Sequence, residues 1–368
     1  MARRPKMKKL DCGHYSEDDR CQICGEREAI EAIRKRAEDQ ARSAPSRPVG
    51  ADPTHAPAGV LPDAAGATTG AIEKLIGDEP TAGIYKLPDS LYHRDPLRAY
   101  GTESLSGSSA RWLIPPSTPA HYRWRTDHRN EPTDAMIFGS AVHALTMETA
   151  DLAVFDGKSW TSKAGSAFLA EHDPDGDEAP ILAHDVPRAK VMAYALRSHP
   201  IVAKMLAGAQ FEQAIFAQDD QTGVWLRGKL DSLQQAAGDH LIVGDIKTAE
   251  HADPWRFAKA AGDLSYHISD AHYSHILRLL GVAKAVTMLY ATVESSPPYL
   301  VAVHEIQSED VMRAAELDRL AINQFAECLH ADRWPGYSQH IHKISLPAYT
   351  ARREEEALFD AATEGETA

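Results

Sequence analysis

R-G-K-L-D-S-L at 227–233 and L-I-V-G-D-I-K-T at 241–248 are the two runs whose reading decides the fold. Each is about a strand long, and the A-A-G-D break at 236–239 between them suits a hairpin turn. Alternation on a strand puts residues i and i+2 on one face. Asp245 and Lys247 therefore project together while Ile246 points into the core, and in a hairpin Asp231 reaches the same place. Two carboxylates beside an ammonium are what metal-assisted hydrolysis of a phosphodiester needs. The carboxylates suit a hard octahedral Mg²⁺, and the lysine can orient the attacking water or stabilise charge on phosphorus. A surface ion pair would use the same Asp-x-Lys spacing, so the weight of the triplet rests on what accompanies it.

Working outward, F-E-Q-A-I-F at 211–216 begins a strand over 211–218 and brings Glu212, a residue type that is usually just solvated on an edge strand. Strands follow over 223–234 and 240–248. Upstream, D-A-M-I-F-G-S-A-V-H-A-L-T-M at 134–147 predicts a helix capped at Thr133 or Asp134. It carries His143, with the small residues Gly139 and Ser140 a turn earlier so that backbone or ligand can approach. A lone histidine there is also what a satisfied core position looks like. Further helices are expected over 166–172, 183–206, 253–261 and 266–281, and strands over 283–293 and 299–306. A long helix over 308–333 ends at W-P-G-Y, where Pro and Gly stop it. This order describes an α/β domain with a central mixed sheet flanked by helices.

The bulk numbers bound the rest. A chain of 368 residues with 43% apolar content can bury one large domain plus appendages. No run approaches the roughly 18 apolar residues of a membrane span, and M-A-R-R-P-K-M-K-K-L lacks a signal peptide's apolar segment. A cytoplasmic protein with no membrane partner is expected. The net charge of −14 lowers the expectation of nucleic-acid binding, although a local basic groove can coexist with an acidic exterior. Four cysteines, unevenly placed, do not make a disulfide framework.

Three of those cysteines belong to a cluster at the N-terminus. Cys12 and His14, then Cys21 and Cys24, form C-x-H…C-x-x-C and can close around one tetrahedral structural Zn²⁺. The expected organisation is a zinc knuckle at 1–25, a solvated helix at 26–44 and a flexible Pro/Ala/Gly linker at 45–80. The main domain then spans 81–349, and a frayed acidic tail spans 350–368. A rival for the cluster is an iron–sulfur centre that recruits Cys328, which would leave His14 idle.

His143, Glu212, Asp231, Asp245 and Lys247 stand in the chain order of a known nuclease core. Residues 87–347 resemble the RecE-type exonucleases (the exodeoxyribonuclease VIII group) of the PD-(D/E)xK superfamily, with a restriction-endonuclease-like core. The resemblance rests on L-P-D-S-L-Y-H-R-D-P, L-S-G-S-S-A-R-W-L-I and P-A-H-Y-R-W, then F-G-S-A-V-H-A-L-T-M-E and W-T-S-K-A-G. It continues through L-R-G-K-L-D, V-G-D-I-K-T, Y-H-I-S-D-A-H-Y-S and W-P-G-Y. It implies that His143, Asp231, Asp245 and the Ile246 carbonyl hold one or two Mg²⁺, with Mn²⁺ substituting and Ca²⁺ inhibiting. Lys247 is the implied catalytic lysine and Glu212 an outer helper. The implied substrate is linear double-stranded DNA, digested processively from 5′ ends by a ring-like homo-oligomer encoded by a phage or prophage. The 3′ overhang would pass to a RecT-type single-strand annealing protein.

Lys163, Arg227, Lys229 and Arg256 are candidate phosphate contacts, each also readable as an ordinary surface charge. Tyr266 and Tyr273, a heptad apart, are candidate DNA contacts that core packing would equally explain. The family usually shows Gln four residues before the second tyrosine. Ser269 stands there and is too short for the same contact, so either Asp270, His267 or His272 substitutes or that contact is missing. Two other functions fit the same residues: a nuclease for branched or single-stranded DNA or for defence, and a catalytically silent DNA-binding scaffold.

Overall fold

The computed structural model describes residues 79–128, 131–172, 178–236 and 238–365, together with 8–9, 15–16 and 75. The chain falls into two compact units, Met1–Ala56 and Pro57–Ala368. In the first, the described strands Lys8–Lys9 and Tyr15–Ser16 pair antiparallel. The cluster of Cys12, His14, Cys21 and Cys24, the helix at 26–44 and most of the linker at 45–80 lie outside the described residues.

The second unit begins with β1 (Gly83–Lys86), α1 (Asp89–Arg94), a 3-10 turn at Pro96–Tyr100 and β2 (Ser104–Ser106). There follow α2 (Gly107–Ala110), α3 (Pro119–Asp127), α4 (Asp134–Met147), β3 (Asp151–Phe155), α5 (Lys163–His172) and β4 (Glu178–Leu182). The sheet's centre comes after α6 (Val186–Ser198) and α7 (Pro200–Leu206). It consists of β5 (Gln210–Gln218), β6 (Trp225–Gln235) and β7 (His240–Ala249). The chain closes with α8 (Pro254–Leu264), α9 (Tyr266–Leu279), β8 (Ala285–Glu294), β9 (Val301–His304), α10 (Ser308–Ala331) and α11 (Ala348–Gly365).

Seven strands form one mixed sheet in the order β9-β8-β7-β6-β5-β1, with β2 added alongside β6. The β7–β8 and β2–β6 pairs are parallel and the rest antiparallel. Helices cover both faces. Ile246, Ala291 and Val293 bury against α4, α6 and α7 through Ala141, Val142, Met192, Leu196 and Met205. Leu226, Leu230 and Val243 bury against α9 and α10 through Ile276, Leu277, Ile322 and Phe325. The run A-V-T-M-L-Y-A-T-V in β8 is near-continuously apolar because a strand covered on both faces has no solvent side to alternate with. The β6–β7 hairpin turns through Gly238 at φ +61°, a conformation that costs glycine little.

The expected α/β architecture with a central mixed sheet is the one observed. The helix expected over 183–206 is divided, because Pro200 cannot extend a helix and holds His199 extended (φ −74°, ψ 125°). β3 and β4 pair as a small separate parallel sheet that the sequence reading did not foresee. The tail from 350 on, expected to fray, is helical through Gly365 and exposed over residues 351–361. R-R-E-E-E-A-L-F-D-A-A consists largely of good helix formers. Among the described residues, no helix is long and apolar enough to cross a membrane.

Candidate active site

The site is a fork in the sheet. The backbone pairing of β6 with β7 runs from Gln235–Leu241 to Ser232–Gly244 and stops there. At its other end β6 pairs with β2, from Trp225 to Arg227. Residues 228–231 are paired on that side with neither strand. Asp231 repairs part of the gap with its side chain, since Oδ2 accepts the Ile246 backbone N–H at 2.7 Å. This contact ties the carboxylate of the first motif to the middle residue of the second.

β7 continues past the fork, held by β8, and alternation places Asp245 and Lys247 together as expected. Lys247 Nζ donates to Asp245 Oδ1 at 2.7 Å and lies 5.3 Å from the centre of the Tyr266 ring. Ile246 between them is fully buried. Burial pushes the Asp245 carboxyl above the usual carboxylate range, with Lys247 opposing the shift and the nearby charge of Asp231 reinforcing it. Burial disfavours the Lys247 charge, but Asp245 and then Asp231 outweigh it and hold the ammonium above the usual lysine range.

The third side of the fork is α4. Thr133 caps it by accepting the Met136 N–H at 3.3 Å, and the helix bounds are those read from the sequence. Ala141 and Val142 anchor the helix in the core, and His143 faces the fork with Nδ1 3.4 Å from Asp231 Oδ2. The approach anticipated at Gly139 is made by Thr248, whose Oγ1 lies 3.4 Å from where a Cβ would stand. Beyond it, between the first turn of α4 and the end of β7, opens a cavity of about 510 Å³ bordered by Asp134, Phe138, Lys158, Arg188 and Thr248.

Glu212 completes the surround. It holds a left-handed conformation (φ +55°) in mid-strand, between the rungs Phe211–Ser232 and Gln213–Leu230, which puts it level with Asp231. Its Oε2 lies 2.6 Å from Lys229 Nζ, which also meets Asp89 on α1. Burial presses both partners toward their neutral forms, Glu212 up to about 8 with Asp231 adding to the shift, and Lys229 down to about 8 with Asp231 opposing. The contact holds as a hydrogen bond whichever partner carries the proton.

The structure thus brings His143, Glu212, Asp231, Asp245 and Lys247 to one place. It spends the expected DNA-contacting residues differently. Arg227 is interior, paired with Asp95 at 2.9 Å, bonded to the Ser104 carbonyl at 2.6 Å and over the Tyr92 ring, so it ties the 3-10 turn to the sheet. Lys229 is sequestered by two acids. Lys163 is exposed at the start of α5, and Lys158 from the preceding loop is the lysine that borders the cavity. Arg256 is exposed on α8, 3.7 Å from Asp253.

Tyr266 stands at the site beneath Lys247. Tyr273 is wedged instead between two glycines, and a Cβ on Gly107 or Gly228 would come within 2.9 Å or 2.6 Å of its ring. Three stretches quoted separately above, L-S-G-S-S, R-G-K-L-D and S-D-A-H-Y-S, meet in that contact. Of the residues expected to stand in for the family glutamine, His272 is turned inward to Asp318 (2.8 Å) and the Leu105 carbonyl (3.2 Å). Asp270 is buried beside Ser274, and His267 borders a groove between α8 and α10.

A family described as a PDDEXK-like domain of unknown function (DUF3799) matches residues 115–347. The chain belongs to this family. The match takes in α4, β6 and β7, and so His143, Asp231, Asp245 and Lys247 of the fork. Among solved structures, the chain is similar to a candidate exonuclease from Eubacterium rectale at 10% identity, covering 70% of this chain and 93% of that one with a TM-score of 0.47. It is also similar to SSO0001 at 13% identity, covering 64% and 83% with a TM-score of 0.29. Among curated proteins none matches the chain.

The donors at the fork are two carboxylates, an imidazole and a strand carbonyl. Among the described residues, no three His, Cys, Asp or Glu side chains close a cage of their own. An open set dominated by carboxylates fits a hard cation that keeps several waters, and the half-buried Asp231 and Asp245 carboxylates repel each other in a way such a cation relieves.

Proposed function

We propose that this PDDEXK-like protein is a Mg²⁺-dependent exodeoxyribonuclease of the RecE type. The observation that carries the reading is the fork itself, where Asp231, Asp245, Lys247 and His143 converge from β6, β7 and α4. His143, Asp231, Asp245 and the Ile246 carbonyl would hold Mg²⁺, with Mn²⁺ able to replace it. The cation supplies positive charge against the scissile phosphate and eases proton loss from the attacking water.

The chain's own residues do the rest. Asp231 fixes the spacing of the two strands through the Ile246 amide. Lys247, held as an ammonium by Asp245, keeps donors free for the attacking water or a phosphate oxygen. Tyr266 floors the lysine and limits its movement. Glu212, locked by Lys229, closes the side of the site beside Asp231.

The proposed substrate is linear double-stranded DNA, degraded from 5′ ends to leave 3′ overhangs for a RecT-type annealing partner. The proposed assembly is a ring-like homo-oligomer acting in the cytoplasm of a phage-infected or lysogenic bacterium. A structural Zn²⁺ on Cys12, His14, Cys21 and Cys24 belongs to the same proposal. The test is digestion of a linear duplex labelled at the 5′ end of one strand and the 3′ end of the other. It is run with Mg²⁺, with EDTA and with Lys247→Ala, beside a closed circle. Early release of the 5′ label, a spared circle and silence in both controls are expected. Cutting of the circle, or activity that survives Lys247→Ala, would overturn the reading.

A further inference from the structure

α2 leads directly into Arg111 and Trp112, and α3 carries Arg125. Both guanidinium carbons lie over the Trp112 indole, 4.7 Å and 3.7 Å from its centre. Both cations rest on one ring, and among the described residues neither forms an ion pair. Their neighbours behave otherwise. Arg123, on the same helix, pairs with Glu103 and Asp127, and Arg98 also pairs with Glu103. In a chain with 53 acidic side chains, two adjacent cations without an acid stand out.

Arg111 donates to the Leu264 carbonyl at 2.8 Å, while its Nε is buried without a partner. Burial and then the charge of Arg125 push Arg111 below the usual arginine range, the mark of a cation lacking its counter-ion.

The pair is connected to the site. Tyr266, beneath Lys247, feels the charges of both Lys247 and Arg111, which oppose the upward push of burial on its hydroxyl. Arg111 holds the Leu264 carbonyl two residues before Tyr266, so Lys247, Tyr266, Arg111, Trp112 and Arg125 neighbour one another in turn. Two uncompensated guanidiniums on one ring draw an anion, and planar forks suit phosphate oxygens.

We propose that Arg111 and Arg125, braced on Trp112, clamp one phosphate of the DNA strand running through the site, on the Tyr266 side of the scissile phosphate. This rests on the nuclease reading given above. The clamp acts on binding and register, leaving the chemical step to the fork.

The experiment uses the full chain with both arginines changed (Arg111→Gln with Arg125→Gln). Binding to a short DNA duplex is measured in EDTA across a salt series, beside steady-state cleavage in Mg²⁺. The dependence of log K on log salt should flatten by about 1, the expectation for one lost phosphate contact. KM should rise about tenfold with kcat within about twofold. The double lysine variant should restore the salt slope without the full affinity, since lysine keeps the charge and loses the planar fork. An unchanged salt slope, or a fall in kcat at constant KM, would overturn the clamp, as would failure of the unaltered chain to bind DNA. Because binding is read without Mg²⁺, the two proposals fail separately. A wild-type chain that cuts DNA while the variant binds normally sinks only the clamp. A flattened slope in a chain that never cuts sinks only the nuclease.

Discussion

Two histidine–aspartate pairs face each other across this molecule's sheet, and they differ in what they leave unfinished. His272 and Asp318 join α9 to α10 at 2.8 Å in complete burial, and the second ring nitrogen of His272 is taken by the Leu105 carbonyl. His143 and Asp231 join α4 to β6 at a looser 3.4 Å, and Asp231 also serves the Ile246 amide. In the first pair both ring nitrogens are taken and solvent is shut out, so it serves to hold helices together. The second, partly open to solvent, has acceptors to spare next to a further half-buried carboxylate. Residue type does not separate a strut from a site. Remaining hydrogen-bonding capacity does.

That contrast can be broken in several ways. Asp245→Ala should lower DNA cleavage by about 10³-fold or more, ~4 kcal/mol in the barrier, while thermal unfolding stays within about 1 kcal/mol of the parent. A collapsed melting curve would move Asp245 to the structural side. Asp318→Ala should do the reverse. It leaves a buried imidazole short of a partner and should cost about 3 kcal/mol in denaturant unfolding, with activity per folded molecule retained. His143→Ala should reduce cleavage about 100-fold, ~2.7 kcal/mol, with under ~1 kcal/mol lost in stability. Circular dichroism showing loss of α4 would make His143 a second strut.

The smallest effect sharpens the comparison through pH. Burial raises the Asp270 carboxyl on α9 from 3.8 to about 6, so the folded state holds its proton more tightly than the unfolded chain does. Stability should therefore fall as pH rises from about 4 to 6, and the penalty should persist above that. Asp270→Asn should gain roughly 2 kcal/mol at pH 8 and almost nothing near pH 4. An equal gain at both pH values would show that the carboxyl titrates normally.

Much of the fork was legible because it is local. Alternation alone pairs Asp245 with Lys247, the A-A-G-D break delivers Asp231 beside them, and the cap at Thr133 sets the start of the His143 helix. What was not legible depends on partners far along the chain. Arg227 and Lys229 read as phosphate contacts or surface charges, yet Asp95 and Asp89, more than a hundred residues earlier, pair with them. Arg111 and Arg125 looked ordinary in S-S-A-R-W and H-Y-R-W-R, and only folding places them over one indole. The divided helix is a different kind of miss, since Pro200 was visible and its meaning followed from backbone sterics alone.

Tyr273 in its two-glycine slot also acts as a gauge. Its ring sets the standoff between α9 and β6, and Tyr266 lies two turns up the same rod. A methyl group added at Gly228 would jack the helix outward, and the shift would reach the floor beneath Lys247 without altering any residue of the fork. Trimming Tyr273 in the same molecule should let the helix settle back. Loss at one position and recovery at the other would mark positions 228 and 273 as a single dimension of the protein, written twice in its sequence.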